Sequence, residues 1–214
     1  MLHELLKVWF GWVEHWGYGG VFILMAMESS IIPVPSEVVM PPAAFWAAQG
    51  KMSLWGVILA GTLGSYAGSV ASYFAAQWVG LPLIHRYGKY FLLPQSKIQL
   101  AERWVKSFGA PGVFIARLLP VVRHLISIPA GVFHMPFGRF SAVTLLGAGL
   151  WCTVLSWWGQ RVLGQYPALI QDPAEMTRVI RQELVWFVAA VALVGVLYGV
   201  VVFFKTTRAR SGEI

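Results

Sequence analysis

Residues 28–42 read ESSIIPVPSEVVMPP, and residues 117–131 read RLLPVVRHLISIPAG. Each stretch places charge and proline inside apolar sequence. The first sets Glu28 and Glu37 among Ile, Val and Met, with Pro33, Pro35, Pro41 and Pro42 between and after them. The second sets Arg117, Arg123 and His124 beside Pro120 and Pro129, and ends at Gly131. Proline inside a helix removes a hydrogen bond and clashes with the preceding turn. Broken backbone at membrane depth persists only where protein or a water-filled cavity covers it. An ionisable residue at that depth is costly and marks function by default. The two stretches therefore read as the floor and ceiling of one polar site, with Pro33, Pro35, Pro120, Pro129 and Gly131 shaping the chain around it.

Composition supplies the membrane. Of 214 residues, 57% are hydrophobic and 12% charged, with a mean hydropathy of +0.66, whereas soluble domains average about 25% charged. No polar stretch is long enough for a second fold, so one polytopic domain is expected. The formal net charge is +7. Its basic residues sit in short loops between apolar segments, which suits anionic lipid headgroups and topology signals and argues against nucleic acid. The single cysteine, Cys152, excludes an intrachain disulfide and, beside Leu150, Trp151 and Val154, reads as a packed thiol. No metal-ligand or cofactor motif is present. Residues 1–16 are mixed in polarity and lack the apolar run of a cleavable signal peptide.

Taken in order, residues 1–16 read as an amphipathic interfacial helix whose Trp9, Trp12 and Trp16 suit the headgroup level. Residues 17–50 form re-entrant hairpin 1, with Ser36 as N-cap of a short helix over 37–49. Its limbs are about 12–16 residues each, against the ~20 needed to span; a tilted span over 18–32 is the alternative. Residues 53–79 form a spanning helix in which Gly56, Ala60, Gly64 and Gly68 make a small-residue face, suited to close packing within the chain or in a homo-oligomer. The connection 81–107 carries Arg86, Lys89, Lys97, Arg103 and Lys106, so the positive-inside rule places it in the cytoplasm. The C-terminal tail, with Lys205, Arg208 and Arg210, belongs there too. Residues 108–136 form re-entrant hairpin 2; 139–164 and 184–204 are further spanning helices, and the mixed connection 165–182 faces outward.

An internal repeat underlies this scheme. The run from Gly17, GYGGVFI, resembles the run from Gly109, GAPGVFI, and PAAF from Pro42 resembles PAGVF from Pro129. A hairpin plus one crossing is an odd number of spans, so the two copies must be inverted. Inverted repeats whose broken helices meet near the midplane are a transporter arrangement. The expected fold is thus an all-α integral membrane protein of two inverted repeats, each a re-entrant helical hairpin plus a spanning helix, with an extra C-terminal spanning helix.

A charge at the bilayer centre costs roughly 2.5–3.5 kcal/mol, so four unpaired would cost on the order of 10 kcal/mol. They must be paired, hydrated or neutralised. Glu28 and Glu37 can take up a proton, whereas Arg117 and Arg123 stay charged and offer planar forks that match phosphate oxygens. A purely structural alternative has the glutamates stapling the hairpins to the arginines. His124 and His134 read as interfacial, and Arg139 as a snorkelling anchor.

At these residues the sequence resembles the DedA family of membrane proteins, also called the VTT or SNARE-associated family, over roughly residues 17–165. The E-x(4)-P-x-P-x-E pattern stands at Glu28, Pro33, Pro35 and Glu37; the second motif stands at Arg117, Pro120, Arg123, Pro129, Ala130, Gly131 and Met135. The chain departs from the family at Ala76-Gln77, where Gly-Arg is frequent, and at Ser36, where Gly is. The resemblance implies two inverted re-entrant hairpins, essential acids matching Glu28 and Glu37, and essential arginines matching Arg117 and Arg123. It also implies a multi-pass protein of the bacterial cytoplasmic membrane that translocates undecaprenyl phosphate or a phospholipid.

Residues and resemblance together favour a transporter in which Arg117 and Arg123 hold a lipid phosphate while Glu28 and Glu37 couple movement to protons. A proton-coupled antiporter of a small cation or drug is the alternative, and an assembly scaffold a third class. An intramembrane enzyme is disfavoured, since neither H-E-x-x-H nor G-x-S-x-G occurs.

Overall fold

A computed structural model describes residues 2–30, 35–80, 109–119, 123, 125–165, 185 and 189. The described residues are helical, with no strand among them. In chain order the helices are α1 (Leu2–Trp16), α2 (Tyr18–Glu28), α3 (Met40–Ala48), α4 (Leu54–Ala75), α5 (109–117), α6 (Ser127–Val132) and α7 (Phe137–Gln165). A 3₁₀ turn over Ser36–Val38 precedes α3, and a π-turn over Ala76–Gly80 extends α4.

Two of these helices, over Leu54–Trp78 and Phe137–Arg161, are long and apolar enough to cross a membrane. At 1.5 Å per residue, α2 (11 residues) and α3 (9 residues) reach only about 16 and 14 Å, half a hydrocarbon core. The long helices α4 and α7 pack against each other, and the short ones pack onto them. Close backbone approach makes this possible. A methyl group added at Gly64 or Gly68 would strike the α2 backbone at Phe22 or Ala26. One added at Gly159 would strike Pro41 of α3, and one at Gly131 of α6 would strike the Tyr73 carbonyl of α4. The small-residue face of 53–79 thus serves contacts within the chain.

The main core gathers Val21, Leu24, Met25, Met40, Trp151 and Leu155; a second cluster surrounds Tyr73 and Phe140. Trp55, Leu59 and Leu63 on α4, and Leu146, Leu150 and Trp157 on α7, face outward as an apolar surface suited to lipid.

Several local expectations change. The N-terminal helix docks one face into the protein: Trp9 and Val13 are buried in the main core, Trp12 packs against it, and Trp16 is exposed. Ser36 caps no helix over 37–49; it starts the 3₁₀ turn, and its hydroxyl accepts a bond from the Trp151 indole instead. Pro41, Pro42 and Pro129 interrupt nothing, because each lies in the first turn of its helix, where an N–H would have no partner anyway. The helix expected over 139–164 begins at Phe137, two residues earlier. Pro33, Pro120, His124, the connections 81–107 and 165–182, and the helix expected over 184–204 lie outside the described residues, save 165, 185 and 189.

Candidate functional site

The C-terminal end of α2 carries Glu28 into the protein interior, at 8% exposure. Arg123, 6% exposed and 95 positions away, donates to its carboxylate and forms an ion pair with it. The guanidinium of Arg123 also lies over the Trp151 ring, 5.1 Å from its centroid. The Trp151 indole donates to the Ser36 hydroxyl at 3.2 Å, and Ser36 lies close enough to Glu28 to act on its carboxylate. Glutamate, arginine, tryptophan and serine thus meet in one chain of contacts built from α2, the segment before α6, α7 and the 3₁₀ turn.

Arg117 ends α5 in a different setting. It is 3% exposed. Its Nη1 donates to the Ser69 hydroxyl of α4 at 2.8 Å, and its Nη2 to the Ser127 hydroxyl of α6 at 2.7 Å. Phe140 lies beneath it at 5.7 Å. The Nε–H is buried with no partner among the described residues. Ser69 passes its own proton to the Ser65 carbonyl at 2.6 Å, and Ser65 shares a 2.7 Å hydrogen bond with Ser29 just beyond Glu28. Among the described residues no carboxylate bonds Arg117; Glu28 and Arg123 act on it only through their fields.

The cluster therefore brings Glu28, Arg117 and Arg123 together. Glu37, half-buried in the 3₁₀ turn, lies close enough for its charge to act on Glu28. It has no ion-pair partner among the described residues. Pro35 is extended ahead of that turn, and Gly131 lets α6 lie against Tyr73, whose hydroxyl donates to the Met135 carbonyl at 2.5 Å. His134 and Arg139 are exposed, outside the cluster; His134 bonds the Val132 carbonyl at 3.1 Å.

Sequence reasoning missed Ser36, Ser69, Ser127 and Trp151. The available signal was the spacing of Ser65, Ser69 and Ser72 along one face of α4. A serine in an apolar helix reads first as a small packing residue, and only a buried cation opposite it shows otherwise.

The VTT domain matches residues 34–161. The chain is 34% identical over 155 residues to undecaprenyl phosphate transporter A of Bacillus subtilis, covering 72% of this chain and 76% of that one. It is 34% identical to the uncharacterized membrane protein YkoX of the same organism, over 68% of this chain and 64% of that protein, just under two thirds of its length. It is 33% identical to an alkaline phosphatase-like protein of Lactococcus lactis, over 67% of this chain and 69% of the other. No solved structure matches the chain. The matched span holds Glu37, Arg117 and Arg123, two of them in the buried cluster, and the chain belongs to the VTT-domain, or DedA, family of membrane proteins.

Proposed function

We propose that this chain is a membrane transporter that binds the phosphate of an anionic lipid, undecaprenyl phosphate or a phospholipid, and moves it across the bacterial cytoplasmic membrane with proton coupling. One observation carries the reading. Arg117 is a buried cation whose described partners are neutral hydroxyls and whose Nε–H is unspent. A buried charge without a counter-charge is costly, and a bound phosphate removes that cost through charge-assisted hydrogen bonds. The name of the Bacillus subtilis relative agrees with this choice of ligand.

Arg123 and Glu28 supply the coupling. Protonation of Glu28 removes the charge that holds Arg123, freeing that fork for phosphate. Glu37 lies beside Glu28 as a second carboxylate on the proton path.

The inverted-repeat scheme gains support from packing. Gly17 and Gly109, which open α2 and α5, both have left-handed φ, at +53° and +50°. The first short helix of each pair packs on its own long helix, α2 on α4 at Gly64 and α5 on α7 at Gly147. The second packs on the other repeat's long helix, α3 on α7 at Gly159 and α6 on α4 at Gly131. A two-fold axis between α4 and α7 would produce this exchange, with Glu28 and Arg117 at matching helix ends.

We read the cluster as a binding site without hydrolytic chemistry. His15 and His134 both bond backbone carbonyls.

The test is transport of labelled undecaprenyl phosphate in liposomes containing purified protein. Wild type is expected to move the lipid, and Arg117→Ala to move little above protein-free liposomes. Equal transport by both would remove the phosphate-site reading.

A further inference from the structure

We propose that Ser127 is a direct ligand of the transported phosphate and that Ser69 is the positioning residue that aims Arg117 at it, so that two hydroxyls give this site its preference for a phosphate headgroup. The proposal rests on the phosphate-binding reading above and assigns it two further residues.

The two hydroxyls are not equivalent. Each accepts one N–H from Arg117, Ser69 at 2.8 Å and Ser127 at 2.7 Å. Ser69 spends its own proton on the Ser65 carbonyl, one turn back on α4, at 2.6 Å. That bond fixes the hydroxyl rotor and leaves a lone pair for Arg117. Ser69 is therefore a committed acceptor that orients the guanidinium and has no donor left for a ligand.

Ser127 differs. It is fully buried in the first turn of α6, and its hydroxyl proton has no acceptor among the described residues. The Arg117 Nε–H beside it is also buried and unpartnered. Orphaned buried donors are uncommon and call for an explanation. A guanidinium carries five N–H groups, of which the described residues take two. What remains around Arg117 is an array of donors unspent among the described residues, one from serine and the rest from arginine. Such an array fits an oxyanion with several oxygens. It does not fit a cation, which would meet only donors, nor an alcohol, which would satisfy one of them.

The arrangement also divides the labour between the arginines. Arg123 is held by Glu28 and backed by Trp151. Among the described residues Arg117 is held by hydroxyls alone, so it can accept an anion without first losing a carboxylate. Ser127 links that seat to α6, whose Gly131 lies against α4. Phosphate bound at Ser127 would thus tie α4, α5 and α6 together.

The experiment compares undecaprenyl phosphate with undecaprenol, which share a tail and differ in the headgroup. Binding of each to the purified full chain is quantified by native mass spectrometry for wild type, Ser69→Ala, Ser127→Ala, Ser127→Cys and Ser127→Thr. Thermal melting checks the fold of each. Wild type is expected to prefer the phosphate. Ser127→Ala and Ser127→Cys, the latter filling the space with a weak donor, are expected to lose about tenfold of that preference, the size of one hydrogen bond to a charged group. Undecaprenol binding should not change. Ser127→Thr keeps the hydroxyl and should keep the preference, and Ser69→Ala should lose less than Ser127→Ala. A residue that only supported the fold would alter melting and both affinities together, leaving the ratio unmoved. An unchanged ratio in Ser127→Ala and Ser127→Cys, with wild type still preferring phosphate, overturns this inference alone. Absence of any preference in wild type overturns the phosphate reading and this inference with it.

Discussion

Arg123 and Glu28 form a buried ion pair that joins the two proline-flanked stretches across 95 positions of sequence. Removing one member of such a pair strands the other in a medium that cannot solvate it, which costs about 3–5 kcal/mol, whereas neutralising both costs far less. Glu28→Gln and Arg123→Gln are each expected to lower the melting temperature, and the double variant to recover part of the loss. A double-mutant cycle on purified protein measures this coupling. Additive losses would show that the pair does not link the two stretches.

The same pair sets a competition. In the proposed site, phosphate and the Glu28 carboxylate both seek Arg123, so acidification that protonates Glu28 should strengthen phosphate binding. The sign follows from charge: the neutral acid releases the guanidinium, and the carboxylate reclaims it as pH rises. A phospholipid diester is the probe of choice, because its own charge stays constant across this range. Wild-type affinity for phosphatidylglycerol is expected to rise from neutral to mildly acidic pH. Glu28→Gln should bind equally well at both. A pH profile that survives in Glu28→Gln assigns the proton elsewhere, with Glu37 the next candidate.

Packing of α2 on α4 depends on two glycines. A methyl group at Gly64 or Gly68 meets backbone atoms of Phe22 or Ala26, which cannot rotate away as a side chain could. Gly64→Ala and Gly68→Ala are each expected to destabilise by about 1–3 kcal/mol, the usual cost of overpacking. Gly138→Ala has open space and serves as the control. Thermal melting in detergent ranks the three, and a Gly64→Ala protein as stable as Gly138→Ala would contradict the close approach.

The long helices were legible because a spanning helix needs only length and apolarity, and α4 and α7 have both. Glu28, Arg117 and Arg123 were legible because charge is rare in such sequence. Other features depend on partners far away in the chain. Ser127 becomes a site residue only when Arg117 lies opposite, and Ser36 trades an N-cap for the Trp151 indole of α7. The placement of α1 had a different obstacle. Lipid headgroups and a protein core both accept a tryptophan-rich apolar face, so the sequence of α1 alone does not distinguish Trp9 buried from Trp9 at an interface.

The proposed inversion of the repeats makes a geometric prediction. Gln49, at the end of α3, and Gly138, at the start of α7, are both exposed. In the inverted scheme the first hairpin opens outward and the second toward the cytoplasm. Cysteines introduced at these positions should be labelled by an impermeant maleimide from opposite sides, Gln49→Cys from outside and Gly138→Cys from the cytoplasm. The native Cys152 is buried and should stay silent. Labelling of both from one side would remove the inversion.

The final prediction separates the two arginines. Arg117 spreads its fork between Ser69 and Ser127, which lie on different helices, through two different nitrogens. Lysine has one nitrogen on a flexible stem and cannot hold both hydroxyls while presenting a planar edge to phosphate. Arg123 makes its main contact with one carboxylate oxygen of Glu28, which an ammonium can still satisfy. Arg117→Lys should therefore cost much more undecaprenyl phosphate affinity than Arg123→Lys, by at least about tenfold, the size of one charge-assisted hydrogen bond. Both variants keep the formal charge, so an antiporter using the arginines only as background charge should tolerate each equally. Binding to purified protein, with melting as the folding check, gives the ranking. Equal affinity in wild type and both lysine variants would leave no role for the fork, and the antiporter would become the better account of this site.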